Sequence, residues 1–156
     1  MKIKWKTLIV CIAIPLLVGG ASALITMGAM DDFSALKQPP LSPPGWLFPV
    51  VWSILYTLMG IASYLVATSG GVQKQINAAI TVYAVQLLFN FFWSLFFFNL
   101  NLFYFSFAWL IVLWLLIIAT LVLFSRLSTV AGYLIIPYLL WVSFAAYLNL
   151  GVAILN

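Results

Sequence analysis

The chain has no histidine, one cysteine and two acidic residues among its 156. Each shortage removes a class of chemistry. Zinc, iron and histidine-ligated haem sites draw on His, Cys and carboxylate side chains, and too few are present here to build one. A lone Cys11 rules out a disulfide within the chain. Asp31 and Asp32 are the only side-chain carboxylates and are adjacent in sequence, which argues against acid/base hydrolysis by a pair of carboxylates placed about a substrate. Charge of either sign is scarce, at 5% of residues against 67% hydrophobic. Such a chain must face something other than water, and roughly 20 consecutive apolar residues suffice to cross a bilayer.

Five stretches of that length are present, at residues 7–28, 47–68, 75–98, 102–125 and 130–150. They predict an all-α membrane protein, a five-transmembrane-helix bundle forming one integral membrane domain over residues 1–156. The connections at 69–74, 99–101 and 126–129 are so short that the helices they join must be antiparallel neighbours. No span contains Lys, Arg or Asp, which argues against proton- or sodium-coupled transport, since that needs an ionisable group at membrane depth. Lys2, Lys4, Lys6, Lys74 and Arg126 fall on one side, and Lys37 with both aspartates on the other. Basic residues accumulate on the cytoplasmic side, so a multi-pass cell-membrane protein is expected with its N-terminus cytoplasmic and its C-terminus outside. The net charge of +4 is thereby read as a topology signal. The expected surroundings are a lipid bilayer, with no nucleic acid.

Three lysines, an apolar run and Ala21-Ser22-Ala23 also resemble a cleavable signal peptide. The run continues past that site through Leu24, Ile25 and Met27, and Val10 is too large for the position before a lipidated cysteine, so the first span is read as retained. Gly19, Gly20 and Ala23 form a small-residue patch suited to close helix approach, within the chain or in a dimer. The first connection, 30–46, is a proline-rich lid. Pro39, Pro40, Pro43 and Pro44 fix φ and favour extended backbone, predicting a stiff polyproline-like strap across the helix ends. Upstream, residues 31–37 predict a short helix capped by an aspartate.

Spacing assigns faces. Pro49, Trp52, Tyr56, Gly60 and Ser63 recur in steps of three and four, as do Gln86, Asn90, Trp93 and Ser94, while Pro137, Trp141, Ala145 and Asn149 repeat every four beside Tyr138. An amide at membrane depth facing lipid costs several kcal/mol, so Gln86 and Asn90 must face protein, water or a ligand, and the tryptophans on their stripes turn inward with them. Helix-to-helix bonding is the simpler reading for Gln86. The combined set suits a pocket for a large, flat, mostly apolar ligand with a few polar substituents. Pro137 predicts a kink that opens space beside Trp141. Trp5 and Trp46 sit at span ends as interfacial anchors, and Trp109 and Trp114 are assigned to packing or lipid contact. The phenylalanine-rich run 89–107 is read mostly as hydrophobic covering, with aromatic contacts across a helix interface as the lesser reading.

The segments Pro43-Pro44-Gly45-Trp46-Leu47-Phe48-Pro49-Val50-Val51-Trp52-Ser53-Ile54-Leu55-Tyr56, Gln86-Leu87-Leu88-Phe89-Asn90-Phe91-Phe92-Trp93-Ser94 and Pro137-Tyr138-Leu139-Leu140-Trp141-Val142-Ser143-Phe144-Ala145, in this order and spacing, resemble the translocator protein family. Its members are also called tryptophan-rich sensory proteins or peripheral benzodiazepine receptors. The resemblance implies a five-helix receptor, commonly a homodimer, that binds tetrapyrroles such as protoporphyrin IX and benzodiazepine-receptor-type ligands in a pocket under the first loop. It implies Trp52, Tyr56, Asn90, Trp93, Trp141, Ala145 and Pro44 as ligand-binding residues. It further implies Trp52 and Trp141 as participants in light- and oxygen-dependent degradation of protoporphyrin IX, which is then ligand or substrate with no covalently bound cofactor and no metal. Passive transport of tetrapyrroles or related apolar ligands, and ligand-responsive regulation of another membrane protein, are the alternatives. Leu41 stands where many members have tryptophan, which predicts a weakened lid contact. The C-terminus lacks the order of residues proposed for cholesterol recognition, which argues against a sterol function.

Overall fold

The computed structural model describes residues 2–156 and is all-helical, with no strand among the described residues. Five helices are long and apolar enough to cross a membrane. They are α1 (Trp5–Thr26), α3 (Leu47–Ala67), α4 (Gln73–Ser94), α5 (Phe103–Leu127) and α6 (Thr129–Leu155), with a short α2 (Met30–Ser34) in the first connection. Apolar runs of this length are helical because hydrocarbon offers no partner to an unpaired backbone N–H or C=O. Around the bundle α1 packs on α3, α3 on α6, α6 on α5 and α5 on α4, which closes on α1.

Close contacts fix which ends lie together. The Lys4 backbone N–H donates to the Tyr64 hydroxyl (3.0 Å), and a Cβ on Gly71 would meet Leu127. This end therefore gathers the lysine-rich terminus, the 68–72 connection and the last turn of α5. At the opposite end the Asn99 amide donates to the Ile25 carbonyl (3.1 Å), and the strap meets the end of α6. Both Pro15 and Pro137 lie inside helices that continue through them.

α1 and α3 approach closely at Gly60, where a Cβ would lie 2.5 Å from Ile12 Cα and 2.8 Å from the Cys11 carbonyl oxygen. Gly19 is likewise filled by the Tyr56 ring, whereas a Cβ on Gly20 meets nothing. The first glycine of the predicted patch thus serves packing within the chain. Gly60→Ala must push backbone against backbone, and it is expected to cost about 1–3 kcal/mol. Gly20→Ala is expected to be neutral, and thermal unfolding of both variants in detergent micelles checks the contrast.

Three expectations need correction. α6 runs five residues past its predicted end at 150, reaching Leu155. Gly151 lies within the helix and admits a neighbour, because its missing Cβ is the space taken by Pro39 (2.5 Å). Asp31 and Asp32 do not cap α2 but lie in its first turn. α1 passes through a 3₁₀ turn (Met27–Ala29) directly into α2, and the Met30 N–H already bonds the Met27 carbonyl, leaving a cap nothing to do. The strap crosses the helix ends, yet it is not extended throughout. It turns at Pro40 and Leu41, where Leu41 has φ +68°.

The strap is latched at Pro40 and at its Lys37 end. The Tyr147 hydroxyl donates to the Pro40 carbonyl (2.7 Å). Lys37 N–H donates to Asn156 Oδ1 (3.1 Å), and Asn156 Nδ2 returns a bond to the Lys37 carbonyl (3.0 Å). Leu41 itself is 85% exposed and holds nothing down.

Candidate functional site

Beneath the strap lies a cavity with two levels, both bordered by Phe33, Phe48, Trp93 and Ala145. The deep level encloses about 420 Å³. α1 supplies Gly19, Ser22, Ala23 and Thr26; α3 supplies Pro49, Trp52 and Tyr56; Ser94 comes from α4 and Trp141 from α6. At 1.5 Å per residue Tyr56 lies roughly 13 Å along α3 from Leu47, well inside the span. The upper level encloses about 390 Å³ and is lined by Asp31, Ser34, Gln38, Ser42 and Pro43 of the first connection, with Leu148, Asn149 and Val152 of α6.

Of the residues singled out from sequence, Trp52, Tyr56, Trp93, Trp141 and Ala145 come together around this cavity. Of the seven ligand-binding residues that the resemblance implies, the other two do not border it. Pro44 is exposed, and its carbonyl accepts the Leu47 N–H at the start of α3 (3.0 Å), while its neighbours Pro43 and Gly45 face the hollow. Asn90 is 1% exposed and sits behind Tyr56.

The reason lies in a chain of hydrogen bonds. The Tyr56 hydroxyl donates to Asn90 Oδ1 (2.7 Å), Asn90 Nδ2 donates to the Tyr138 hydroxyl (2.8 Å), and Tyr138 donates to Gln86 Oε1 (2.7 Å). Buried amides need partners, and these two find them on α3 and α6. The chain consumes the polar end of Tyr56, so Tyr56 offers the cavity its ring, stacked on Trp52 at 5.4 Å.

Indole N–H groups divide into two sets. Trp93 donates to Asn149 Oδ1 (3.0 Å), Trp109 to the Phe89 carbonyl (2.9 Å) and Trp114 to the Ser143 hydroxyl (2.9 Å). Among the described residues Trp52 and Trp141 make no such bond, and both border the deep level. Their N–H groups are the donors left for an occupant. Trp109 also stacks on Phe89 at 4.2 Å and meets Phe96 at 5.0 Å, so the phenylalanine-rich segment does make aromatic contacts across the α4–α5 interface. The bonding partners of Trp109 and Trp114 belong to other helices, where a search along one helix cannot find them.

Sequence reasoning missed the α1 wall and Phe33, Phe48 and Phe98. Gly19, Ser22, Ala23 and Thr26 do follow helical spacing, and that signal was legible. Nothing in the sequence marks Phe33, whose position depends on where the lid helix lands, at 5.0 Å from Phe98 and 5.5 Å from Phe97.

Five membrane-crossing helices around a tryptophan-walled chamber, closed by a proline-rich strap, define a class of polytopic membrane protein with a ligand-sized hollow inside the bundle. Residues 11–155 match the model of the TspO/MBR family, and the chain belongs to that family. It is 38% identical over 151 residues to the tryptophan-rich protein TspO of Chlorobaculum tepidum, covering 96% of each chain. Against protein CrtK of Rhodobacter capsulatus identity is 37% over 138 residues, covering 88% of this chain and 85% of that one. The translocator protein of Ovis aries is 35% identical over 118 residues, 75% of this chain and 70% of the other.

Proposed function

We propose that this membrane protein is a receptor for tetrapyrroles such as protoporphyrin IX and for benzodiazepine-receptor-type ligands, held in the cavity under the strap, and that it promotes light-dependent degradation of bound porphyrin. The observation that carries the reading is the deep level itself, an aromatic chamber at membrane depth whose Trp52 and Trp141 keep their indole N–H groups free. Flat aromatic walls with a few polar donors suit a flat apolar ring. An excited porphyrin with oxygen supplies the oxidising chemistry, and an indole held against the ring is positioned to be oxidised in its turn.

Binding is favoured over passage through the bundle because the core below Tyr56 is filled. Met59, Ala62, Val66, Leu113 and Ile117 each have 0% exposure, leaving no opening for a large ring. The basic end of the bundle faces the cytoplasm and the strap faces outside, by the charge asymmetry. The homodimer is proposed on the family resemblance.

The test is quenching of tryptophan emission by protoporphyrin IX in lipid nanodiscs, followed by illumination. Saturable quenching, and bleaching of the pigment faster than with an unrelated membrane protein, are expected for the natural chain. Trp52→Phe with Trp141→Phe is expected to lose both. Bleaching at the control rate removes the degradative role, and absence of saturable quenching removes the receptor role.

A further inference from the structure

The indole donors of the deep level have a counterpart above them. The inward stripe of α6 that carries Trp141 and Ala145 ends on Asn149, which is 1% exposed and borders the upper level. Its amide orientation is fixed by neighbours that can bond in only one sense. The Trp93 indole N–H can only donate, and it donates to Asn149 Oδ1 (3.0 Å), with the Ser106 hydroxyl 3.3 Å from the same oxygen. The Phe103 carbonyl can only accept, and it takes one N–H of Asn149 Nδ2 (2.8 Å). A primary amide nitrogen carries two hydrogens, so one is left over in a residue closed to bulk water. Asn90 has a spare N–H too, yet it lies behind Tyr56 and borders neither level. Gln38 borders the upper level with a spare N–H of its own, but it is exposed and open to water.

We propose that Asn149 is a further ligand-binding residue, whose free N–H donates to a hydrogen-bond acceptor, a carbonyl, ester or carboxylate oxygen, on the strap-facing edge of a flat ligand. The inference rests on the reading that this cavity is the ligand site, and it deepens that reading by assigning the chemistry of the ligand's outer edge. Asn149 follows Trp141 by two turns of α6, so the donors stand at two heights roughly 12 Å apart along the helix. A flat ring reaching from one level to the other meets the Trp52 and Trp141 indoles at its inner edge and the Asn149 amide at its outer edge. Its apolar body lies against Phe48, Trp93 and Ala145, which border both levels. A ligand of the same shape without an acceptor leaves the buried N–H unpaired, and an unmade bond in a buried site is costly. Asp31, the one ionisable side chain on the border of the upper level, is exposed, so water and salt screen it.

Two porphyrins with one flat body test this, mesoporphyrin dimethyl ester and etioporphyrin, in which plain alkyl groups replace the ester side chains. Both are titrated against the full chain in nanodiscs by quenching of tryptophan emission, with empty discs as the partition reference. The ester is expected to bind about fivefold more tightly, the scale of one net hydrogen bond. Asn149→Leu, of similar size, is expected to bring the two affinities to within about twofold. Loss of the Trp93 partner weakens both porphyrins alike, so the ratio between them reads the direct bond. Ser106→Ala, which disturbs the same amide without removing its N–H, is expected to keep the ratio. In infrared spectra the isotope-labelled ester carbonyl is expected at lower frequency when bound to the natural chain than in empty discs or in Asn149→Leu. Equal affinities in the natural chain, an undiminished ratio in Asn149→Leu, a ratio lost equally in Ser106→Ala, or a carbonyl band that binding does not move overturns the proposal, while saturable quenching leaves the receptor reading standing. Should Asn149→Leu fail to fold, the ratio and the carbonyl band of the natural chain decide. If neither porphyrin binds, acetylpyrene and ethylpyrene replace them. An acetyl preference that Asn149→Leu removes then upholds this proposal while the tetrapyrrole reading fails, and no preference overturns both.

Discussion

Ala145→Phe is expected to weaken protoporphyrin IX binding by at least about a hundredfold, or about 2.7 kcal/mol, without lowering the melting temperature. Ala145 borders both levels of the cavity, one helical turn after Trp141 and one turn before Asn149. A phenyl group there grows into empty volume, so the usual cost of inserting bulk into a packed core does not arise. It occupies the space through which a flat ligand passes from the strap to the Trp52–Tyr56 stack. The matched control is Leu140→Phe, on the same helix at a position 65% exposed, where added bulk meets only the surroundings. Tryptophan quenching titrations measure both variants, and thermal unfolding in detergent shows whether each is folded. An Ala145→Phe protein that binds porphyrin as tightly as the control would show that the ligand sits elsewhere.

Composition and span length were enough for the helix count, because a backbone in hydrocarbon has so few options. The helix starts fall within two residues of their sequence-based positions, while α6 ran on through Gly151. That difference is instructive. A glycine near a helix end has two physical uses, terminating the helix or admitting a neighbour, and only the position of Pro39 tells them apart.

The site was legible to the extent that its residues share one helix. Trp52 with Tyr56, and Trp141 with Ala145, each lie one turn apart, so the period of the helix delivers them together. Asn90 shows the limit. Its stripe pointed inward as expected, but an inward amide can serve a ligand or a neighbouring helix. The choice was made by the Tyr56 and Tyr138 hydroxyls arriving from α3 and α6. The lid was the least legible part. Four prolines predicted stiffness, whereas the latches come from Tyr147, Gly151 and Asn156, more than 100 residues away in sequence.

Asn90→Ala is expected to destabilise the bundle by about 2–4 kcal/mol, combining a stranded buried hydroxyl at about 1–3 kcal/mol with the void left by the side chain. An interhelical hydrogen bond in a membrane protein averages only about 0.6 kcal/mol, because the separated helices find other partners. The larger figure is argued from what Asn90→Ala leaves behind. Tyr138 still donates to Gln86 Oε1, but Tyr56, 7% exposed, loses the acceptor of its own hydroxyl and is hemmed in by Gly19 and Trp52. A double-mutant cycle with Tyr56→Phe separates the two contributions. Tyr56→Phe alone is expected to cost less than about 1 kcal/mol, since Asn90 keeps Tyr138 as a partner and an amide oxygen is the only group left short. Once Tyr56 has no hydroxyl to strand, Asn90→Ala should cost less, so the double variant is expected to be more stable than the sum of the singles by about 1 kcal/mol. Denaturation in mixed micelles measures all four proteins. Additivity to within about 0.5 kcal/mol would mean that Asn90 acts by filling space, and that Tyr56 is held in the cavity wall by its stacking on Trp52 alone.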